Sequence, residues 1–223
     1  MGFCYHITIM KLITHRGWST GPIENTITAF KKSDEADHVD GVELDVRFAL
    51  GSDEVIVSHL PASAENKLSL DDALNYLAKT NLEIYIDIKQ TNPELSNIVS
   101  KKLRQRGIHD RAHLFGLKHF ARHLSFSHIS HRVGMILLNP FSIHKNIKRF
   151  SPNLIMLCFS LNKWTWKLFW WYWTPEKLEK MIEQYPDINF IFGVDDHHND
   201  AVKIKRIPGL YGLTTNRPEI WTE

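Results

Sequence analysis

Two stretches decide how this chain folds: GVELDVR at residues 41–47 and EIYIDIK at residues 83–89. In the first, Val42, Leu44 and Val46 alternate with Glu43, Asp45 and Arg47. In the second, Ile84, Ile86 and Ile88 alternate with Glu83, Tyr85, Asp87 and Lys89. Successive strand side chains point to opposite faces, so each stretch reads as a strand with one apolar and one charged face. A third segment, VIVSH at 55–59, ends its apolar run in His59. A single such segment fits a half-exposed antiparallel strand with a solvated outer face. Three together, with carboxylates or a histidine near their C-terminal ends, point to strand ends gathered around a site.

Outward from these stretches, short apolar runs alternate with helical patterns along the chain. Strands are expected at 11–14, 41–47, 55–59, 82–89, 112–117, 133–138, 153–159, 189–195 and 210–215. Helices are expected at 25–36, 69–79, 93–106, 118–127, 141–149, 174–185 and 198–206. Ser69 before Leu70-Asp71-Asp72, and Thr174 before Pro175-Glu176, are helix-start signals. This alternation predicts a parallel sheet with crossover helices. Eight main strands, with 55–59 as a hairpin-like insertion after strand 2, predict an α/β TIM (β/α)8 barrel; a doubly wound open sheet is the alternative. No internal repeat or low-complexity linker divides residues 1–223, so a single domain is expected. Residues 1–9 read either as a dispensable extension or as a plug or edge of the fold.

Composition narrows the function classes. The 223 residues carry 27 Lys and Arg against 25 Asp and Glu, a net charge of +2 with 13 histidines neutral. That balance gives no bulk electrostatic case for nucleic acid. Two cysteines, Cys4 and Cys158, exclude a disulfide scaffold and fit a reducing, cytoplasmic setting. No run reaches the ~18 apolar residues of a spanning helix.

The charged strand faces suggest chemistry. Glu43, Asp45 and Asp87 on adjacent strands would form an all-oxygen cluster, which suits one hard divalent cation such as Mg²⁺ or Ca²⁺. At the end of the first strand, His15-Arg16-Gly17 would overhang the barrel mouth, with the Arg16 fork matched to phosphate oxygens. His15 and His59, with an ordinary pKa of ~6.5, are candidate acid–base groups. On spacing, Asn25 or Thr26 is a helix cap and Glu24 a surface acid, with a supporting place behind the site as its alternative.

The ordered set His15-Arg16-Gly17, Pro22 to Thr26 with Ala29-Phe30, Gly41 to Arg47, Val55 to His59, and Ile86 to Lys89 resembles the glycerophosphodiester phosphodiesterase family. Ser69 to Leu74 and Thr215-Asn216-Arg217-Pro218 extend the likeness. The resemblance implies a TIM barrel, one divalent metal, and hydrolysis of glycerophosphodiesters to glycerol 3-phosphate and an alcohol. By position it implies His15 and His59 as the acid–base pair, Arg16 and Lys89 as phosphate ligands, and Glu43, Asp45 and Asp87 as metal ligands. Four positions depart from the family pattern. Leu60 follows His59 where an Asp is usual, Asp87 stands for Glu, Asn216 for Asp, and Phe192 for Trp.

The block KWTWKLFWWYW at 163–173 holds five of the seven tryptophans. Trp164, Trp166, Trp170, Trp171 and Trp173 would form either an apolar substrate wall at the barrel mouth, with at least two of them exposed, or the packing face of a helix. Three functions follow: a phosphodiesterase acting on small glycerophosphodiesters, a lysophospholipase D acting on lysophospholipid in peripheral contact with a membrane, or an eroded barrel that only binds phosphate or metal.

Overall fold

The computed structural model describes residues 10–18, 23–117, 133–158, 163–194, 196 and 198–221; for 140, 163–166, 198, 199 and 201 it describes the backbone alone. Expected elements at 1–9 and 118–127 lie outside these residues. Ten strands form, β1 Lys11–Thr14, β2 Gly41–Phe48, β3 Val55–Val57, β4 Leu68–Ser69, β5 Glu83–Ile88, β6 Ala112–Phe115, β7 Gly134–Leu137, β8 Leu154–Leu157, β9 Asn189–Phe192 and β10 Gly212–Thr215. Parallel pairings run β1–β2–β5–β6 and β7–β8–β9–β10, and β10 returns to β1. Parallel bridges Leu114–Val133 and Leu117–Ile136 join the two arcs. The eight strands therefore close as a TIM barrel, and the open sheet is excluded. β3 is antiparallel to β2 and β4 to β3, which makes residues 55–69 the expected hairpin insertion.

The helices form where apolar residues recur at helical spacing. In Leu70–Leu77, the buried Leu70, Ala73, Leu74 and Leu77 make one stripe, and the Ser69 side chain caps Asp72 N–H. Pro93 and Pro175 sit in the first turns of Pro93–Gln105 and Pro175–Gln184. In β2 and β5 the apolar set Val42, Leu44, Val46, Ile84, Ile86 and Ile88 is buried toward the helix layer. The opposite set, Glu43, Asp45 and Asp87, points into the ring.

The aromatic block departs from the expected connection. Lys163–Tyr172 is a helix, inserted before Pro175–Gln184. Trp173 is buried in the core with Phe169 and Leu178. Trp170 stacks on Phe192 at 5.3 Å between ring centres, and its Nε1–H donates to Asp200 at 3.0 Å. The wall role is therefore corrected for Trp170 and Trp173: one face of the helix must be buried for it to pack, and these rings supply it. Trp171 is exposed, and nothing is described of the Trp164 and Trp166 side chains. The expectation of two exposed rings is met by one among the described tryptophans.

Candidate active site

The polar cluster at the mouth follows from register. β2 and β5 pair with Asp45 beside Asp87 and Glu43 beside Tyr85. Carboxylate oxygens of Glu43, Asp45 and Asp87 lie within 4.8 Å of one another, and all three residues are buried. Such burial costs several kcal/mol unless cations or donors compensate.

Arg16 and Lys89 compensate in part. Arg16 adopts φ 56°, in the left-handed region, followed by Gly17 at φ 76°. This turn aims the Arg16 backbone N–H at Glu43 Oε2 (2.9 Å) and its Nε at Asp45 Oδ2 (2.9 Å). A Cβ on Gly17 would stand 2.7 Å from Ala29 Cβ, so the close turn requires glycine. Lys89 Nζ reaches Asp45 Oδ1 at 2.8 Å and also binds Asp87. Glu24 accepts from Arg16 at 2.9 Å, which places it behind the guanidinium.

The compensation is uneven. Burial would raise Asp45, but Lys89 and Arg16 hold it below the usual carboxylate range. Burial, then Asp45 and Asp87, raises Glu43 well above that range. Asp87 is pushed up to about 6 by burial and by Asp45, against the pull of Lys89. Asp87 Oδ1 is buried without a hydrogen-bond partner. Three carboxylates, an orphaned oxygen and two resident cations make a donor set short of positive charge. That set fits a hard divalent ion held by Glu43, Asp45 and Asp87.

His15 joins the cluster from β1. Its Nε2 lies 3.9 Å from Glu43 Oε2, and its Nδ1 is 2.8 Å from Asn216 Oδ1. Asn216 is fixed in turn: its backbone N–H and Nδ2 donate to Asp196 at 2.7 and 2.8 Å. A carboxylate accepts only, so Asp196 sets the Asn216 amide with its oxygen toward His15. His15 must then donate from Nδ1, which leaves the Nε2 lone pair toward the cluster. Burial and the Arg16 charge pull its pKa down to about 4. The carboxylate expected at 216 is thus present one hydrogen bond farther out.

His59 follows β3 and is half-buried, with its pKa lowered by burial while the charges of Asp45, Lys89 and Arg16 act on it. Its carbonyl accepts from Arg47 at 2.9 Å. With Glu24, Asn25 and Ser58 it lines a cleft of about 310 Å³. Leu60 is exposed beside it.

Two contributors were not assigned from sequence. Asn25 is not the cap; Thr26 is, accepting from Ala29 N–H. Asn25 takes φ 57° and grips Asp45 twice, donating from Nδ2 to Oδ2 (2.9 Å) and accepting from the backbone N–H (3.1 Å). Asp196 is the other. Its only sequence signal is the acidic pair Asp195-Asp196 after the β9 run.

A (β/α)8 barrel with a buried three-carboxylate cluster, flanked by His15, Arg16 and Lys89 at its C-terminal mouth, is the class these observations define. No family model matches the sequence, and no curated protein matches it. Among solved structures, a glycerophosphodiester phosphodiesterase from Agrobacterium tumefaciens is similar at TM-score 0.73 and 17% identity, over 96% of this chain and 100% of that one. Another from Parabacteroides distasonis is similar at TM-score 0.73 and 14% identity, over 95% and 94%. A phosphoribosyl anthranilate isomerase from Thermococcus kodakaraensis matches less well, at TM-score 0.58 and 8% identity over 96% and 97%. At these identities the likeness establishes the fold.

Proposed function

We propose that this chain is a metal-dependent phosphoric diester hydrolase that cleaves glycerophosphodiesters to glycerol 3-phosphate and an alcohol. The observation that carries the reading is the Glu43–Asp45–Asp87 cluster, bracketed by His15, Arg16 and Lys89 at the barrel mouth. The two similar phosphodiesterase structures support it.

Glu43, Asp45 and Asp87 would hold one divalent cation, Mg²⁺ or Ca²⁺. When bound, the cation supplies positive charge beside the phosphodiester. Arg16 and Lys89 bind the remaining phosphate oxygens as fork and point charge. His15, neutral down to about pH 4, takes a proton at Nε2 from the water that attacks phosphorus. As the new P–O bond forms, His59 protonates the oxygen of the leaving alcohol, and that P–O bond breaks. Asn25 and Asp196 touch no substrate in this scheme; they position Asp45 and His15.

The test is glycerol 3-phosphate release from glycerophosphocholine with Mg²⁺, with Ca²⁺, and with excess EDTA. Release with one of the ions and none in EDTA or in Glu43→Gln is the expected result. Full turnover in EDTA would overturn the metal assignment, and absence of release under all three conditions would overturn the hydrolysis of this glycerophosphodiester.

A further inference from the structure

The described residues include eight large exposed apolar side chains, and four of them, Leu138, Phe141, Leu168 and Trp171, fall within residues 138–171. Phe141 and Trp171 are 76% and 74% exposed. They are not scattered. Helix Lys163–Tyr172 turns by about 100° per residue, so Leu168, Trp171 and Tyr172 share one face, with Lys167 at its edge. Phe169 and Trp170 take the opposite face and pack on Phe192. The Phe141 ring stands edge-on to Tyr172 at 4.8 Å, which joins Leu138 and Phe141 to the helix patch. Leu138 directly follows β7, and Phe192 ends β9, so the patch lies on the rim of the barrel mouth.

The described exposed charges that flank the patch in sequence, Lys145, Lys148, Arg149 and Lys167, are basic. Residues 111–175 contain nine Lys and Arg and no Asp or Glu, in a chain whose net charge is only +2. Lys145, Lys148 and Arg149 are exposed on helix Ile143–Phe150, which follows Phe141. Lys167 is exposed on the patch helix, and Lys177 lies over the Tyr172 ring at 4.6 Å. The nearest following acid in sequence is Glu176. Exposed Trp, Phe and Leu next to exposed basic residues form the composition that lies in a membrane interface, where apolar rings enter the acyl boundary and ammonium groups meet anionic headgroups.

We infer that this rim docks on the surface of a bilayer containing anionic lipid, through Leu138, Phe141, Leu168 and Trp171 and the basic helix Ile143–Phe150. The inference stands apart from the phosphodiesterase reading, and its test reads binding, not turnover.

The experiment is co-sedimentation of the full chain with vesicles of phosphatidylcholine alone or mixed with phosphatidylserine. The wild type is expected to bind the mixed vesicles at low salt and to be released in ~1 M NaCl, where charges are screened beyond ~3 Å. F141S/L168S/W171S should bind about tenfold less, with thermal unfolding close to wild type because the three side chains are exposed. K145E/K148E, which leaves the apolar patch intact, should also lose binding to the mixed vesicles. Leu50→Ser, an exposed apolar change in the turn between β2 and β3, should not. The inference is overturned if the wild type ignores phosphatidylserine vesicles, or if both multiple variants bind as it does. It is also overturned if the wild type is a dimer that F141S/L168S/W171S converts to a monomer, which would make the patch a self-association face.

Discussion

The two ends of strand β5 carry polar clusters made from the same kinds of residue, yet they differ in how well they are satisfied. At the N-terminal end, Glu83 accepts from Tyr85 (2.6 Å) and Tyr211 (3.1 Å), pairs with His113 (3.4 Å), and binds Lys11. Burial opposes ionisation of Glu83, but His113, Lys11 and Tyr85 hold its carboxyl far below the usual range. His113 also stacks on Tyr85 at 4.6 Å. Four residues along, Asp87 is pushed up to about 6 and keeps an orphaned oxygen. One strand thus shows both uses of a buried carboxylate. The satisfied one ties the barrel floor together, and the under-compensated one leaves the mouth short of positive charge. In a TIM barrel this division follows the general separation of a stabilising bottom from a reactive top.

The sharpest way to break this contrast is to remove imidazoles at the mouth. His15→Ala and His59→Ala should each lower kcat about 10²–10⁴-fold, with unfolding temperature nearly unchanged. Steady-state kinetics beside thermal melts checks both halves, and an active double variant would remove the acid–base assignment. At the floor the effect should invert. Glu83→Ala strands Lys11, Tyr85 and Tyr211 without their acceptor and should cost about 1–3 kcal/mol, read by urea titration. Its kcat per folded molecule should match wild type; a tenfold fall would show the floor coupled to the chemistry.

The third comparison uses pH. A carboxyl with a raised folded-state pKa binds its proton more tightly when folded. Its contribution is therefore greatest at low pH and is lost as pH rises from 3.8 to about 6. His15, with a lowered pKa, runs the other way over much of that window, so the wild-type curve alone does not isolate Asp87. Asp87→Asn isolates the carboxyl. In EDTA, its stability relative to wild type should improve by about 2 kcal/mol between pH 4 and pH 7.5. An unchanged difference would mean that Asp87 is already fully compensated. The smallest effect belongs to Tyr211→Phe, which deletes one of several donors to Glu83. It should cost about 0.5–1.5 kcal/mol and leave activity untouched.

What the sequence made legible was mostly periodic. The VELDVR and EIYIDIK alternations located β2 and β5 within a residue and put the three carboxylates on one face, because strand geometry leaves no other arrangement. Ser69 and Thr174 marked their helices correctly because a cap is a local event. The bounds of helix Lys163–Tyr172 were hidden because aromatic residues occupy both its buried and exposed faces, so no stripe stands out. Asn25 looked like a cap because it lies one residue from the true cap; only its left-handed backbone turns it onto Asp45. Asp196 acts on His15 through Asn216, and that relation exists only once β9, β10 and β1 lie side by side.

The hydrogen bond between His15 and Asn216 spans 201 residues of chain. Apart from Asp196, which fixes that amide, every other group assigned to the mouth chemistry lies between residues 15 and 89, near strands that can pair early. At translation rates of about 5–20 residues per second, Asn216 emerges on the order of ten seconds after Lys89. Ring closure by β10 is a late, high-contact-order event. A nascent chain therefore presents its carboxylates before the amide that selects the His15 tautomer has been made. On the proposed reading, catalytic competence becomes a timer for completion of the ring: a chain stopped before Gly212 carries all three carboxylates without the group that orients their histidine.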